Sequence, residues 1–497
     1  MSYGGYILSV QHEQPGRRLS RRQLLVAGGV SAGALALTAS GDHVARTLGA
    51  LLEPTVAPRT PAYHTRPDLR IPALNVTTLG RGVAPGLIFL APYNAPNNAQ
   101  AGAVIVDDTG EPVWEQPLAR LVTTDFRVQT YKGRPALTWW QGIIELGHGV
   151  GNYVIADSEY APLARVNAGN GRAGDLHEFL LTERGTALLT SYAITHADLR
   201  AVGGSASGTI QDALFQEIDI ATGKVLLEWH SLDHIPISES YWPLSADWDY
   251  VHLNSIGVDR DQNLLVSSRN THTIYKLDRS TGAMIWRLGG KRSDFSLGAE
   301  AEFAWQHDAR RQPDGTITMF DNGELLSRAI ALDVDEVHRH VALRRAYTHP
   351  GKLHSSSQGN VQVLPDGNVL VGWGAQPYVS EFAPSGELVF DAMLAPNYVS
   401  YRAYRVPWTG LATGTPTVVA ERSHTHTEAF VSWNGDTRVV RWVALSGTDA
   451  STLSPIGSVA RTGFETGMRL SRNIVRLAVR GVDASGATVG TSKLVAV

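Results

Sequence analysis

From Thr77 onward the chain alternates short apolar runs with polar, glycine-bearing turns. No stretch there carries the 3.6-residue period of a convincing amphipathic helix. The recurring unit is a strand, an Asp- or Ser-rich turn with Gly, and a second strand holding an aromatic. It reads Val104-Ile105-Val106-Asp107-Asp108-Thr109-Gly110 through Trp114, then Glu217-Ile218-Asp219-Ile220-Ala221-Thr222-Gly223 through Trp229. A third copy runs from Lys276 through Gly282 to Trp286, and a weaker fourth from Glu381 through Gly386 to Phe390. Gly223 and Gly282 are 59 residues apart, while Gly110–Gly223 and Gly282–Gly386 span 113 and 104, close to two steps each. The gaps therefore predict degenerate copies near 157–167 and 331–347. Four-stranded units repeating every ~50 residues are the signature of a β-propeller. The fold class expected is all-β, with six blades over residues 75–410. A β-sandwich array whose turns happen to rhyme is the alternative.

The pattern changes after Pro407-Trp408. Residues 415–497 alternate as strands, among them Ala429-Phe430-Val431-Ser432-Trp433 and Asn473 through Arg480. This length, a Trp on an early strand and a late long strand predict an Ig-like or fibronectin type III-like sandwich.

Targeting signals occupy the other end. Ser20-Arg21-Arg22 followed by Leu24-Leu25 resembles a twin-arginine export signal, and the weakly apolar Leu24–Ala39 run is too short for a comfortable membrane span. Residues 1–40 are expected to be the signal region and 41–74 a leader. Contact with the membrane would be confined to that signal, and the mature protein would be secreted, periplasmic or held in the cell envelope. A cytosolic basic tail followed by a chance apolar stretch is the bland alternative.

Composition narrows the chemistry. A net charge of −4 from 43 basic and 47 acidic residues argues against a basic nucleic-acid binder. Zero Cys among 497 residues excludes disulfides, thiolate metal sites and a cysteine nucleophile. Seventeen His is a high count, and several recur at equivalent places. His177, His252, His307 and His354 each precede an expected innermost hairpin, so the four are expected to converge on one funnel mouth. Asn254 lies two residues beyond His252, and Arg269 ends the following strand, where antiparallel pairing brings it back to His252. An Arg among neutral imidazoles suits a tetrahedral oxyanion, because its planar fork binds two oxygens at once.

The block Asp247-Trp248 through His252-Leu253-Asn254-Ser255-Ile256, then Ser267-Ser268-Arg269-Asn270, Trp286-Arg287-Leu288-Gly289-Gly290 and Trp305-Gln306-His307-Asp308, resembles the aryl sulfotransferases of the sulfohistidine type. The resemblance covers about 75–410 and is nearer to the actinobacterial and fungal relatives. It implies transfer of a sulfuryl group from an aryl sulfate to a phenolic acceptor, with no cofactor and no nucleotide donor. It implies His252 as the nucleophile, Asn254 and Arg269 as holders of the sulfuryl oxygens, and His177 and His307 as orienting and proton-handling groups. His354 is a looser match, a fourth polar wall beside Trp305 in substrate binding. Trp139, Trp140 and Trp373 are further candidates for an aromatic wall, although propeller cores bury Trp routinely.

Two other classes use the same residues. A histidine cluster on a propeller axis would also bind zinc or copper, although the His252–Arg269 block offers no carboxylate in a ligand position and Arg269 repels a cation. A noncatalytic exported scaffold is the second rival.

Overall fold

The computed structural model describes residues 62–69, 72, 74–94 and 102–497. The expected signal region 1–40 and most of the 41–74 leader lie outside the described residues. From Arg59 to Val497 the chain forms one compact unit. It is built of strands: among the described residues the helical pieces are Ser231–His234 and two 3-10 turns, Arg200–Val202 and Ile237–Glu239. No described helix is long and apolar enough to cross a membrane.

Six sheets succeed one another among the described residues up to Val406, antiparallel but for the edge strand Ser296–Leu297, which pairs parallel with His340–Tyr347. The first pairs Leu87–Tyr93, Gly102–Val106 and Pro112–Pro117 in order, and Val399–Val406 from the far end of this region completes it beside Leu87–Tyr93. The second runs Val122–Tyr131, Arg134–Glu145, His148–Ala156, Pro162–Val166, and the third Phe179–Leu181, Thr186–Ala197, Gly208–Asp219, Val225–His230. The fourth comprises Leu253–Val258, Leu264–Ser268, Thr273–Leu277 and Met284–Gly289. The fifth comprises His307–Arg311, Ile317–Asp321, Arg328–Asp335 and His340–Tyr347, edged by the short Ser296–Leu297. The sixth comprises Asn360–Val363, Val369–Gly372, Tyr378–Phe382 and Leu388–Leu394, edged by Leu74–Leu79. The degenerate repeats read at 157–167 and 331–347 fall on strand–turn–strand segments of the second and fifth sheets.

The repeated turns have a local cause. Asp107 Oδ1 accepts from the backbone N–H groups of Thr109 and Glu111 at 2.9 and 3.1 Å, and Asp278 Oδ1 does the same for Ser280 and Thr281. The glycine that closes each turn sits in the left-handed region, at φ 82° for Gly110, 71° for Gly223 and 73° for Gly282. A side chain there would be strained.

One buried charge network ties together Val399–Val406, the edge strand of the first sheet, and the first strands of the other five. Glu178, entering the third sheet, takes Arg127 Nη2 of the second at 2.5 Å, Arg402 Nη2 of the first at 3.2 Å, and Arg310 of the fifth. Its Oε2 also accepts the N–H of Ile256 in the fourth sheet at 3.3 Å. Arg402 donates to Asp125 Oδ1 at 2.8 Å and to Asn254 O at 3.0 Å, and Asp308 Oδ2 accepts the N–H of Val361 in the sixth sheet at 3.3 Å. Glu178 and Arg402 are wholly buried. Such charges persist in a core only when every one is paired and hydrogen-bonded.

Beyond Pro407, Thr417–Arg422, His426–Ser432 and Glu465–Ser471 form a three-stranded sheet. Ser454–Ala460, Arg441–Ser446, Arg476–Val482 and Thr488–Thr491 form a second, with Val495–Ala496 added. Val431, Trp433, Trp442, Leu477 and Val479 fill one core with them. This region docks on the first two sheets: Asn434 exchanges hydrogen bonds with the backbone of Glu115 at 2.9 Å, and Tyr160 Oη donates to Gly435 O at 2.8 Å.

Candidate active site

At the N-terminal ends of these first strands three imidazoles pack together. The His252 ring lies 4.7 Å from His177 and 5.1 Å from His148, centre to centre. Each has a carboxylate beside it. Asp249 Oδ2 is 2.5 Å from His252 Nδ1 and 3.2 Å from His148 Nε2, while Asp175 Oδ2 is 2.6 Å from His177 Nδ1. A carboxylate on Nδ1 fixes the tautomer and leaves Nε2 as the nitrogen with the lone pair. No described residue hydrogen-bonds to Nε2 of His252.

The protonation states differ from ring to ring. Burial pushes the pKa of His252 down to about 4 despite the pull of Asp249, so this imidazole is neutral near pH 7. Burial opposes protonation of His148 too, but there the Asp249 carboxylate prevails and raises the pKa above the ordinary value. Asp249 itself is held well below the usual carboxylate range: desolvation works against this, and the two imidazoles override it. One ionised carboxylate thus stands between a neutral imidazole and one that protonates more readily than free histidine. His252 also occupies the left-handed backbone region, at φ 55°. A non-glycine residue there costs on the order of 1–3 kcal/mol and persists only when its surroundings impose it.

Arg269 donates its backbone N–H to His252 O at 2.9 Å, so the strand ends adjoin as antiparallel pairing requires. Its guanidinium sits in the corner formed by two perpendicular indoles, 5.3 Å from the Trp242 ring centre and 4.8 Å from Trp305. Nη1 donates to Asn270 Oδ1 at 2.8 Å and Nη2 to Ser356 O at 3.1 Å, while Nε is buried without a partner. Burial lowers its pKa to about 10, which leaves a cation at neutral pH. Trp305 is held by Glu324, whose Oε1 accepts its indole N–H at 3.1 Å.

Three expected site residues sit differently from the expectation. His354 is exposed on the loop before the sixth sheet and is not part of the cluster, because five residues separate it from the first strand of that sheet. Asn254 is fully buried, and its Nδ2 donates to Gln306 O at 2.7 Å, so it braces the segment leading into His307. His307 is buried and both its nitrogens are engaged. Nδ1 lies 2.7 Å from Asn322 Oδ1, and Nε2 accepts the Gln358 N–H at 3.1 Å. Burial, reinforced by the Arg269 charge, keeps its pKa well below the ordinary value. Trp139, Trp140 and Trp373 are core residues.

His148 and Asp249 are the residues that the sequence reading missed. His148 opens the third strand of its sheet rather than preceding a first strand, so it breaks the positional rule that singled out the others. Its long hairpin, Arg134–Glu145 and His148–Ala156, carries it to His177 and His252. Gly149 lets that hairpin approach: a Cβ there would lie 2.5 Å from Leu176 N. The glycines flanking His148 were the available signal. Asp249 sits three residues before His252, just outside the His252–Arg269 block, and supplies the ligand carboxylate that block lacks.

The carboxylates also create two possible metal cradles. His148, Asp175 and His177 form one, and His148, Asp249 and His252 the other, with ligand atoms within 4.8 Å of one another in each.

The sequence profile of the arylsulfotransferase (ASST) family matches residues 127–395. No curated protein matches the chain. Among solved structures, a protein of unknown function from Bacteroides caccae aligns at 12% identity and TM-score 0.39, covering 64% of this chain and 98% of its own. A protein from Lactobacillus plantarum aligns at 14% and 0.37, covering 78% and 99%. Virginiamycin B lyase from Staphylococcus aureus aligns at 8% and 0.31, covering 73% and 97%. At such similarity none of the three speaks to what this chain does.

Proposed function

The chain belongs to the arylsulfotransferase family, and from that footing we propose that it moves a sulfuryl group from an aryl sulfate to a phenol through a sulfohistidine on His252. The observation that carries this reading is the Asp249–His252 contact of 2.5 Å on Nδ1, which leaves Nε2 of a neutral ring available. In the first half-reaction the Nε2 lone pair forms a bond to sulfur. The sulfur–oxygen bond to the aryl group breaks, and its electron pair leaves on the phenolate oxygen. His148, the imidazole whose pKa is raised, supplies the proton that this oxygen needs. In the second half-reaction His148 takes the proton of the acceptor phenol, whose oxygen attacks sulfur and releases His252. Ping-pong kinetics follow. Arg269, held against Trp242 and Trp305, faces developing charge on the sulfuryl oxygens as a preorganised cation.

In the same proposal the six sheets are the blades of a closed six-bladed propeller. The pairing of Val399–Val406 with Leu87–Tyr93 and the shared Glu178 network support closure. Residues 415–497 form a fibronectin type III-like module, supported by two sheets around one core. Export by the twin-arginine route rests on Ser20-Arg21-Arg22; retention of precursor in the cytoplasm after Arg21→Lys/Arg22→Lys tests it.

The test of the chemistry is a brief exposure to 4-methylumbelliferyl sulfate followed by peptide mass spectrometry. A gain of one sulfuryl group on the peptide containing His252, lost in His252→Ala, is expected. A gain on the His307 peptide instead would move the nucleophile to the imidazole on which Arg269 acts. The metal cradles favour a second reading, a hydrolytic metal site. Turnover that survives exhaustive chelation separates the two.

A further inference from the structure

The same first strands that start at the imidazoles end at a second cavity, of about 970 Å³. Its walls come from the C-terminal ends of those strands and the turns after them: Tyr131–Gly133, Leu181–Gly185, Gln312, Val363 and Val406. Between the two ends lie Glu178 and Arg402, both with no solvent exposure, so the axis is filled by their ion pairs rather than open from mouth to mouth. The second cavity is therefore separate from the imidazole cluster.

Its free charge is positive. Of the four cations that line it, Arg127 and Arg310 are already paired with Glu178, which leaves Lys132 and Arg184 against the carboxylate of Glu183. Asp308 is already engaged by Arg310, at 2.9 Å to Nε. Neither Lys132 nor Arg184 makes an ion pair among the described residues; Lys132 Nζ only stands over the Tyr131 ring at 5.1 Å. Arg127 is about nine-tenths buried, and its Nε has no hydrogen-bond partner. The remaining wall is mixed: Leu180, Leu181, Ile220, Val361 and Val363 give it apolar surface beside the polar side chains of Gln129, Thr182, Gln312 and Gln362.

We infer that this second mouth binds a small organic anion with an apolar body, its sulfonate, sulfate or carboxylate set against Arg184 and Lys132 and its hydrocarbon part against Leu181 and Val363. The inference does not depend on the sulfotransfer reading, since it uses no imidazole of that site. A cation excess at the rim attracts the anionic group, while the apolar wall gains from burying the body.

The probe is 8-anilinonaphthalene-1-sulfonate, titrated into the folded full chain and followed by fluorescence. Saturable one-to-one binding is expected. The double variant Lys132→Glu/Arg184→Glu, both exposed positions, should weaken it at least tenfold with the melting temperature unchanged. Leu181→Trp, which fills the cavity, should weaken it similarly without reversing charge. His252→Ala should leave it as in the wild type. Unsaturable binding, indifference to both cavity variants, or loss of binding in His252→Ala would each overturn the inference.

Discussion

Replacing Glu178 by Gln should destabilise the protein more than any other single loss of charge in the buried network. The carboxylate faces three guanidiniums, Arg127, Arg310 and Arg402, while Asp125 and Asp308 supply the only other negative charges in the cluster. Desolvation penalises the ionised form, yet these three arginines hold the Glu178 pKa far below the usual carboxylate range. Glutamine preserves volume but removes the charge, leaving three buried cations against two carboxylates. One uncompensated buried charge costs about 3–5 kcal/mol, a large part of the ~5–15 kcal/mol of a native domain. Urea unfolding followed by tryptophan fluorescence would read the loss, with far-UV circular dichroism confirming that the starting state is folded. The double variant Glu178→Gln/Arg402→Met restores two charges of each sign and should recover part of the loss, because residues in one network are not additive. A single variant within about 1 kcal/mol of wild type would refute the claim that this network holds the first strands together.

Asp249→Asn should lower kcat/KM by about three to four powers of ten, by analogy with loss of the orienting carboxylate in a catalytic triad, while leaving the melting temperature nearly unchanged; similar turnover in an aryl sulfate assay would remove Asp249 from the machinery. The pH profile follows from the imidazoles. His252 must be neutral to attack, and with a pKa of about 4 it stays neutral as pH falls below 6.5, so the acid limb of kcat/KM should centre near 4. His148 must be protonated to donate, and its raised pKa places the alkaline limb above 6.5; an acid limb centred at 6.5 would contradict the burial of His252. Arg269→Lys keeps the charge but loses the planar cation's contacts with Trp242 and Trp305, and kcat should fall on the order of 10²–10³, as for removal of one preorganised donor.

Much of this protein is legible in short stretches of sequence. The turns Asp107–Gly110, Asp219–Gly223 and Asp278–Gly282 announce strands on either side because aspartate caps and left-handed glycines act over four or five residues. The same locality covers His252 and Arg269, whose meeting needs only one antiparallel hairpin. Family membership, too, rests on motifs that are contiguous along the chain. Tertiary structure decided the rest. The partner of Leu87–Tyr93 is a strand more than 300 residues later, Val399–Val406, and nothing local specifies that pairing. His148 reaches His252 because a long hairpin on the second sheet folds across to the fourth, whereas His354, placed by the same positional rule as His252, points its loop to solvent. Asn254 turned from an expected ligand into a buried brace because Gln306 of the next sheet offers its carbonyl. Turn chemistry and strand alternation are properties of neighbours in sequence. Convergence of the imidazoles depends on how separate sheets are set against one another, and that is fixed by buried pairs such as Glu178 with Arg402, whose members lie 224 residues apart.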